Sequence, residues 1–214
     1  EEWATAIGED EGQAAGIVRR IEELEDGKEN AGRQLVDYLA KSGIVAHQRV
    51  GARIALDLGL EEAALDLSRR VANDLEGRSR EMFLAEVARR ARETGLSLAA
   101  SWAYEELGRG ASTPSERRQF DQRIIDVALA AGDTAAALEA QRRVANSFSL
   151  ESIDRRRATA QVIRLESARA DPAQLTQLLQ AFRDEFPSAP ELDDLAATVA
   201  KGLQVRGDLE GAAA

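Results

Sequence analysis

The sequence predicts an all-α protein made of stacked helix-turn-helix hairpins, and three observations carry this prediction. Apolar residues recur at helical spacing in one segment after another. No segment shows the apolar-polar alternation, rich in β-branched residues, that a strand requires. Turns recur at Gly59, Gly95, Gly132, Ala170 and Gly207, at intervals of 36, 37, 38 and 37 residues. A period of about 37 residues is typical of a helical solenoid, in which neighbouring hairpins bury each other's apolar faces.

Each of the first six predicted helices has an apolar stripe. Their ranges are about 9–26, 28–41, 45–58, 61–75 and 79–94, and the sixth starts after Gly95. The stripes consist of Ile17, Val18, Ile21 and Leu24; Leu35, Val36 and Leu39; Val45, Ala52, Ala55 and Leu56; Ala64, Leu65, Leu67 and Val71; Phe83, Leu84, Val87, Ala88 and Ala91; and Ala99, Trp102, Ala103 and Leu107. Gly27, Gly43, Gly59 and Gly95 follow helices, as expected of C-terminal glycines.

Most of the later helices carry explicit start signals. The segment Thr113-Pro114-Ser115-Glu116 combines a Thr cap, a first-turn proline and a Glu three residues after the cap, which together satisfy free amide groups. Asp133 caps the eighth helix, the ninth follows Ser147-Phe148-Ser149 and runs to about Arg169, and Asp171-Pro172 starts the tenth. Pro187 and Pro190 precede the eleventh helix, which is predicted to end near Arg206. Gly207-Asp208 opens a further, incomplete helix.

We predict one continuous solenoid with an atypical beginning. Residues 1–42 form an irregular hairpin, because only 32 residues separate Gly27 from Gly59. Residues 43–214 hold the regular repeats, the last of them incomplete. Since the chain starts without Met and stops soon after Gly207, we expect it to be a segment of a longer protein.

Composition excludes several classes of function. The formal net charge of −10 argues against nucleic-acid binding by the whole molecule. The absence of cysteine excludes disulfides, thiolate metal sites and cysteine nucleophiles. The sequence contains no run of about 18 apolar residues, so it predicts no membrane span. The sequence leaves the compartment open between bacterial cytoplasm and periplasm, and it leaves the oligomeric state undetermined.

The repeat resembles the tetratricopeptide (TPR) family, whose unit of about 34 residues is also a helical hairpin. The resemblance covers residues 43–214 with degenerate motifs. The family favours a small residue seven before the turn, Ala five after it, an aromatic nine after it and a closing proline. Matches are Ala52, Ala88 and Ala200 at the first position; Ala64, Ala100, Ala137 and Ala212 at the second; Tyr104 at the third; and Pro187 at the fourth. This resemblance implies a right-handed superhelix that binds a partner in its concave groove.

The groove positions of the TPR family lie thirteen, ten, six and three residues before each turn. Carried onto this chain, they give twenty inner-face positions, of which the candidate partner-binding residues are Arg49, Arg53, Met82, Arg89, Arg92, Arg157, Arg164 and Lys201. Leu56, Ala160 and Asp194 are other members of the twenty. Seven of the twenty positions are basic and two are acidic, which predicts a cationic inner face suited to an acidic peptide or another polyanion. Alternatively, these arginines pair with neighbouring acids, such as Glu86 or Glu93 beside Arg89.

Catalytic and cofactor sites are not indicated. His47 is the single histidine, and one imidazole makes neither a catalytic triad nor a multi-histidine metal site. No glycine-rich loop follows a strand, so nucleotide binding has no support. We therefore predict a non-catalytic scaffold, without cofactor or metal, that binds another protein or peptide. The alternatives are a segment of a bacterial envelope secretion or assembly machine that contacts an anionic polymer or exopolysaccharide, and the helical arm of a larger enzyme.

Overall fold

The structure is a computed structural model that describes residues 19–20, 28–149 and 152–205. Within these ranges the chain forms ten α-helices and no strand. The helices are α1 Lys28–Lys41, α2 Val45–Asp57, α3 Glu61–Asp74, α4 Gly77–Glu93, α5 Ser97–Gly110, α6 Pro114–Ala130, α7 Thr134–Asn146, α8 Ile153–Glu166, α9 Pro172–Glu185 and α10 Leu192–Val205. The all-α prediction is therefore confirmed. Most of the first predicted helix and the turn at Gly207 lie outside the described residues.

The chain divides into two compact units, Glu1–Ala111 and Ser112–Ala214. In the N-terminal unit, α2 pairs with α3 and α4 pairs with α5 as antiparallel hairpins, while α1 packs on α2. Helix α4 also contacts α2, and α5 contacts α3, so consecutive hairpins stack as predicted. The continuity of both units in one solenoid stays a prediction.

The C-terminal unit packs its helices in a different pattern. Helix α7 contacts both α6 and α8, and α8 contacts both α9 and α10. Two consecutive arginines of α7 reach in opposite directions. Arg142 forms an ion pair with Glu166 of α8, and Arg143 Nε donates to Asp121 Oδ1 of α6 at 2.7 Å. Both carboxylates are buried, so these ion pairs connect α7 to its two neighbours.

The predicted turns at Gly59, Gly95 and Gly132 are confirmed. Their φ angles of 72°, 77° and 75° lie in the left-handed region, which glycine adopts without a steric penalty. Beyond each glycine, an amide bonds back to a carbonyl five residues earlier, which satisfies the helix end. These bonds run from Leu60 N to Ala55 O, from Leu96 N to Ala91 O and from Asp133 N to Ala128 O, at 2.8, 2.7 and 2.8 Å. The turn at Ala170 lacks a glycine, and Asp171 caps α9 directly after it.

Small residues allow the helices to approach closely. Ala52, Ala64, Ala88, Ala100 and Ala137, which occupy the TPR-like small-residue positions, are all buried. At Gly51 of α2, an added Cβ would lie 3.1 Å from Leu39 Cβ and 3.2 Å from Leu67 Cδ1. A side chain at this position would therefore require Leu39 or Leu67 to move by a few tenths of an ångström, and glycine allows the close contact of α2 with α1 and α3 without such a shift.

The predicted helix caps are present, and they give a first test of the fold. Asp133 Oδ1 accepts a hydrogen bond from Ala136 N at 3.0 Å, at the start of α7. We expect Asp133→Ala to lower the free energy of unfolding by about 1 kcal/mol, because this amide loses its protein partner. Asp133→Ser should retain most of the stability, since its hydroxyl can accept the same bond. Urea denaturation followed by circular dichroism checks both variants, and the absence of a loss for Asp133→Ala would show that the cap contributes nothing.

Candidate docking cleft between α2 and α4

A cleft opens in the N-terminal unit between the first helices of two consecutive hairpins. It has a volume of about 270 Å³. Its lining consists of Val45, Ala46, Arg49, Val50, Arg53 and Leu56 of α2, Leu75 from the loop before α4, and Phe83, Glu86, Val87 and Arg90 of α4. We call this feature the docking cleft. Its size suits one or two side chains of a ligand rather than a large cofactor.

The docking cleft has an apolar base and a basic rim. Val50, Leu56, Phe83 and Val87 are buried, so the helix-helix packing fixes this base. The charged residues of the lining are three arginines and one glutamate. The lining therefore has a local excess of positive charge, in a chain whose net charge is −10.

Arg90 is held by two carboxylates. Its Nη1 lies 2.5 Å from Asp57 Oδ1, at the end of α2, and its Nε lies 3.1 Å from Glu86 Oε1 on its own helix. Burial disfavours the charge of this guanidinium, but the hydrogen bonds and Coulomb attraction to Asp57 and Glu86 outweigh that cost and raise the pKa of Arg90. Arg90 is therefore a fixed positive charge at every accessible pH.

Two further arginines of α2 complete the rim. Arg53 Nη2 lies 3.5 Å from Glu86 Oε1, so the same glutamate oxygen faces guanidinium groups from both helices. The guanidinium carbon of Arg49 lies 5.9 Å from the centroid of the Phe83 ring. This distance is within the range of a cation–π contact, which restricts the orientation of the Arg49 side chain above the apolar base.

The structure brings together only some of the predicted groove residues of the N-terminal unit. Arg49 and Arg53 line the docking cleft, whereas Met82, Arg89 and Arg92 of α4 do not. Met82 is 64% exposed, and Arg89 Nη1 forms an ion pair with Glu93 at 2.6 Å, which is the acid pairing considered from the sequence. On α4 the docking cleft uses Phe83 and Arg90, which come one position after Met82 and Arg89, together with Glu86 and Val87.

In the C-terminal unit the predicted residues lie on α8 and α10. Arg164 Nη2 contacts Asp194 Oδ2 at 2.8 Å, which joins the two helices through residues predicted to share a face. Arg157 and Lys201 are exposed. Ala160 is completely buried, and Leu56 in the other unit is 2% exposed and lies in the apolar base of the docking cleft.

Sequence reasoning missed Phe83, Glu86 and Arg90 as cleft residues. A signal for two of them was present, because Glu86 and Arg90 have the four-residue spacing of an intrahelical ion pair. No sequence signal links Arg90 to Asp57, since 33 residues separate them. Their contact depends on the packing of α4 against α2.

Three further features of the described residues concern metal binding, membrane spans and the single histidine. Throughout the part of the chain that the structure describes, no three His, Cys, Asp or Glu side chains are grouped so as to hold a metal ion. Over the same residues, every helix is too short or too polar to cross a bilayer. His47 is partly buried, and its Nδ1 lies 2.6 Å from Ser42 Oγ.

Comparison with solved structures finds similarity to chains with TPR-like repeats. A putative kinesin light chain from Podosopora anserina with nearly identical TPR-like repeats is 19% identical, and the match covers 77% of this chain and 88% of that chain with a TM-score of 0.45. A single-substitution variant of that protein matches with 19% identity, coverage of 77% and 87%, and a TM-score of 0.44.

No protein-family model matches the chain. No curated protein is similar to it in sequence either.

Proposed function

We propose that this protein is a non-catalytic scaffold for protein–protein interactions, and that its docking cleft binds an acidic segment of a partner protein. The observation that supports this function is the cleft itself, where three arginines surround an apolar base. A peptide offers carboxylates next to apolar side chains, and both parts of the cleft then have a complementary group. An anionic polysaccharide would satisfy the arginines but would leave the apolar base without a matching group.

The mechanism is preorganisation. The base residues are buried in the contact between α2 and α4, and ion pairs or ring contacts restrict the arginines before any ligand arrives. A rigid receptor loses little conformational entropy on binding, so more of the contact energy appears as affinity. Guanidinium groups also offer two parallel donors to a carboxylate, which makes the recognition directional.

Peptide selection with charge-matched variants tests this function. Twelve-residue random peptides displayed on phage are selected on the full chain, resynthesised, and titrated by fluorescence anisotropy. We expect the selected peptides to contain Asp or Glu, and Arg53→Gln to weaken their binding about tenfold, the loss of about one charge-assisted hydrogen bond. Added salt should weaken binding further.

Arg89→Gln is the control, because it removes the same charge from exposed α4 surface outside the docking cleft. The affinity of Arg89→Gln for the selected peptides should stay within about twofold of that of the native chain. Equal weakening by both substitutions, or none by Arg53→Gln, would contradict the proposal. Failure to select any peptide, together with binding of alginate that Arg53→Gln weakens, would favour the polymer alternative instead.

A further inference from the structure

Glu86 stands out among the residues of the docking cleft. It supplies the carboxylate in a lining whose other charged side chains are arginines. Its Oε1 atom lies 3.1 Å from Arg90 Nε and 3.5 Å from Arg53 Nη2. One carboxylate oxygen therefore occupies the position between two guanidinium groups where a ligand carboxylate would bind most favourably.

The two contacts of Glu86 differ in how firmly they are made. Arg90 has a second carboxylate partner, Asp57, at 2.5 Å, so its position and charge do not depend on Glu86 alone. The contact between Arg53 and Glu86 is longer than an ordinary hydrogen bond, and both side chains remain about one quarter exposed. A long ion pair between partly exposed side chains contributes little to stability. Glu86 can therefore leave its position at small cost while Arg90 stays in place.

We propose that Glu86 is an internal stand-in for the ligand, and that a carboxylate of the partner protein displaces it from Arg53 and Arg90. This inference rests on the proposed function, and it adds the reason why the docking cleft would select segments that carry a carboxylate. The displaced Glu86 side chain turns towards solvent, and an apolar side chain next to the incoming carboxylate lies on Phe83 and Val87. A segment without a carboxylate cannot replace Glu86, so it gains only the apolar contact.

Two roles for Glu86, competition with the ligand and a purely structural contact between α2 and α4, predict different effects of Glu86→Gln on affinity. If Glu86 competes with the ligand, Glu86→Gln should strengthen the binding of a carboxylate about fivefold, which corresponds to an exposed ion pair of about 1 kcal/mol. If Glu86 only braces α2 against α4, the same substitution should weaken binding or leave it unchanged. The sign of the change separates the two roles.

The probe is sodium hexanoate, which combines one carboxylate with an apolar chain, and hexanamide is its neutral counterpart. Titrations are followed through the NMR signals of the arginine Nε–H groups in the full chain. We expect hexanoate to shift the Arg53 and Arg90 signals and hexanamide to leave them in place. Glu86→Gln should bind hexanoate about fivefold more tightly. Unchanged or weaker binding by this variant would overturn the proposal.

Glu93→Gln is the matched control. It removes the same charge from the same helix, at an exposed residue paired with Arg89. A gain equal to that of Glu86→Gln would show a general effect of net charge, and the stand-in role would be wrong. Circular dichroism verifies that each variant is folded, and Glu86→Ala replaces Glu86→Gln if the latter fails to fold.

These experiments distinguish failure of the stand-in role of Glu86 from failure of the proposed function. If the selected acidic peptides lose affinity with Arg53→Gln but gain none with Glu86→Gln, the docking cleft binds them and the stand-in role is wrong. If Arg53→Gln has no effect, both proposals fail. Peptides with an amidated C terminus, compared with peptides whose Asp and Glu are replaced by Asn and Gln, show whether a terminal or a side-chain carboxylate displaces Glu86.

Discussion

Phe182→Ala is expected to lower the free energy of unfolding of the C-terminal unit by about 3–5 kcal/mol. Phe182 lies on α9, is 1% exposed, and packs in a cluster with Leu175, Leu195 and Leu203. Its ring centroid lies 5.0 Å from that of Phe186. Truncation would leave a cavity between α9 and α10 that the surrounding helices can fill only in part. Urea denaturation of the full chain, followed by circular dichroism, measures the loss.

Two controls accompany this prediction. Phe182→Leu keeps most of the apolar volume and should lose less stability than Phe182→Ala. Peptide affinity under native conditions should not change with either variant, because every residue that lines the docking cleft belongs to the N-terminal unit. A loss below about 1 kcal/mol for Phe182→Ala would show that this cluster is not the core that the structure describes.

Arg142→Met is expected to lower the free energy of unfolding by about 2–3 kcal/mol, because it leaves a buried carboxylate without its charged partner. Arg142 of α7 forms an ion pair with Glu166 of α8, whose side chain is 6% exposed. The methionine retains much of the apolar stem, so the change measures mainly the lost charge. The same urea denaturation experiment provides the measurement.

The double variant Arg142→Met and Glu166→Met tests the reason for this loss. Replacing both members of a buried ion pair by apolar groups is often neutral, so most of the stability should return. Arg70→Met provides an exposed control, since its partner Asp66 is more than half exposed, and its loss should stay below about 1 kcal/mol. If the double variant is less stable than Arg142→Met, the buried charge is not the cause.

The turn predictions at Gly59, Gly95 and Gly132, and the helix predictions that fall on the described residues, were confirmed because their causes are local. Gly59, Gly95 and Gly132 are required by left-handed turns, and Thr113 and Asp133 cap helices through amides three residues away. Such signals act within one turn of helix, so a single sequence contains all the necessary information. The periodic spacing of these signals also predicted the stacking of α4 on α2.

The docking cleft was predicted only in part, for a geometric reason. Arg49 and Arg53 were selected by their spacing from Gly59, and both line the cleft. On α4 the same spacing selected Met82 and Arg89, one residue away from the positions that line it. Since one residue corresponds to a rotation of about 100° on an α-helix, a small change in helix orientation decides which side chains face the cleft.

The sequence by itself determined where the helices begin and end and where small residues allow them to touch, because backbone conformation and capping depend on near neighbours. The tertiary structure decided which charged side chains form ion pairs. Asp57 with Arg90, Asp121 with Arg143 and Glu166 with Arg142 are separated by 33, 22 and 24 residues. Each pair forms only because packed apolar faces bring two helices together, and the placement of Glu86 between Arg53 and Arg90 arises in the same way.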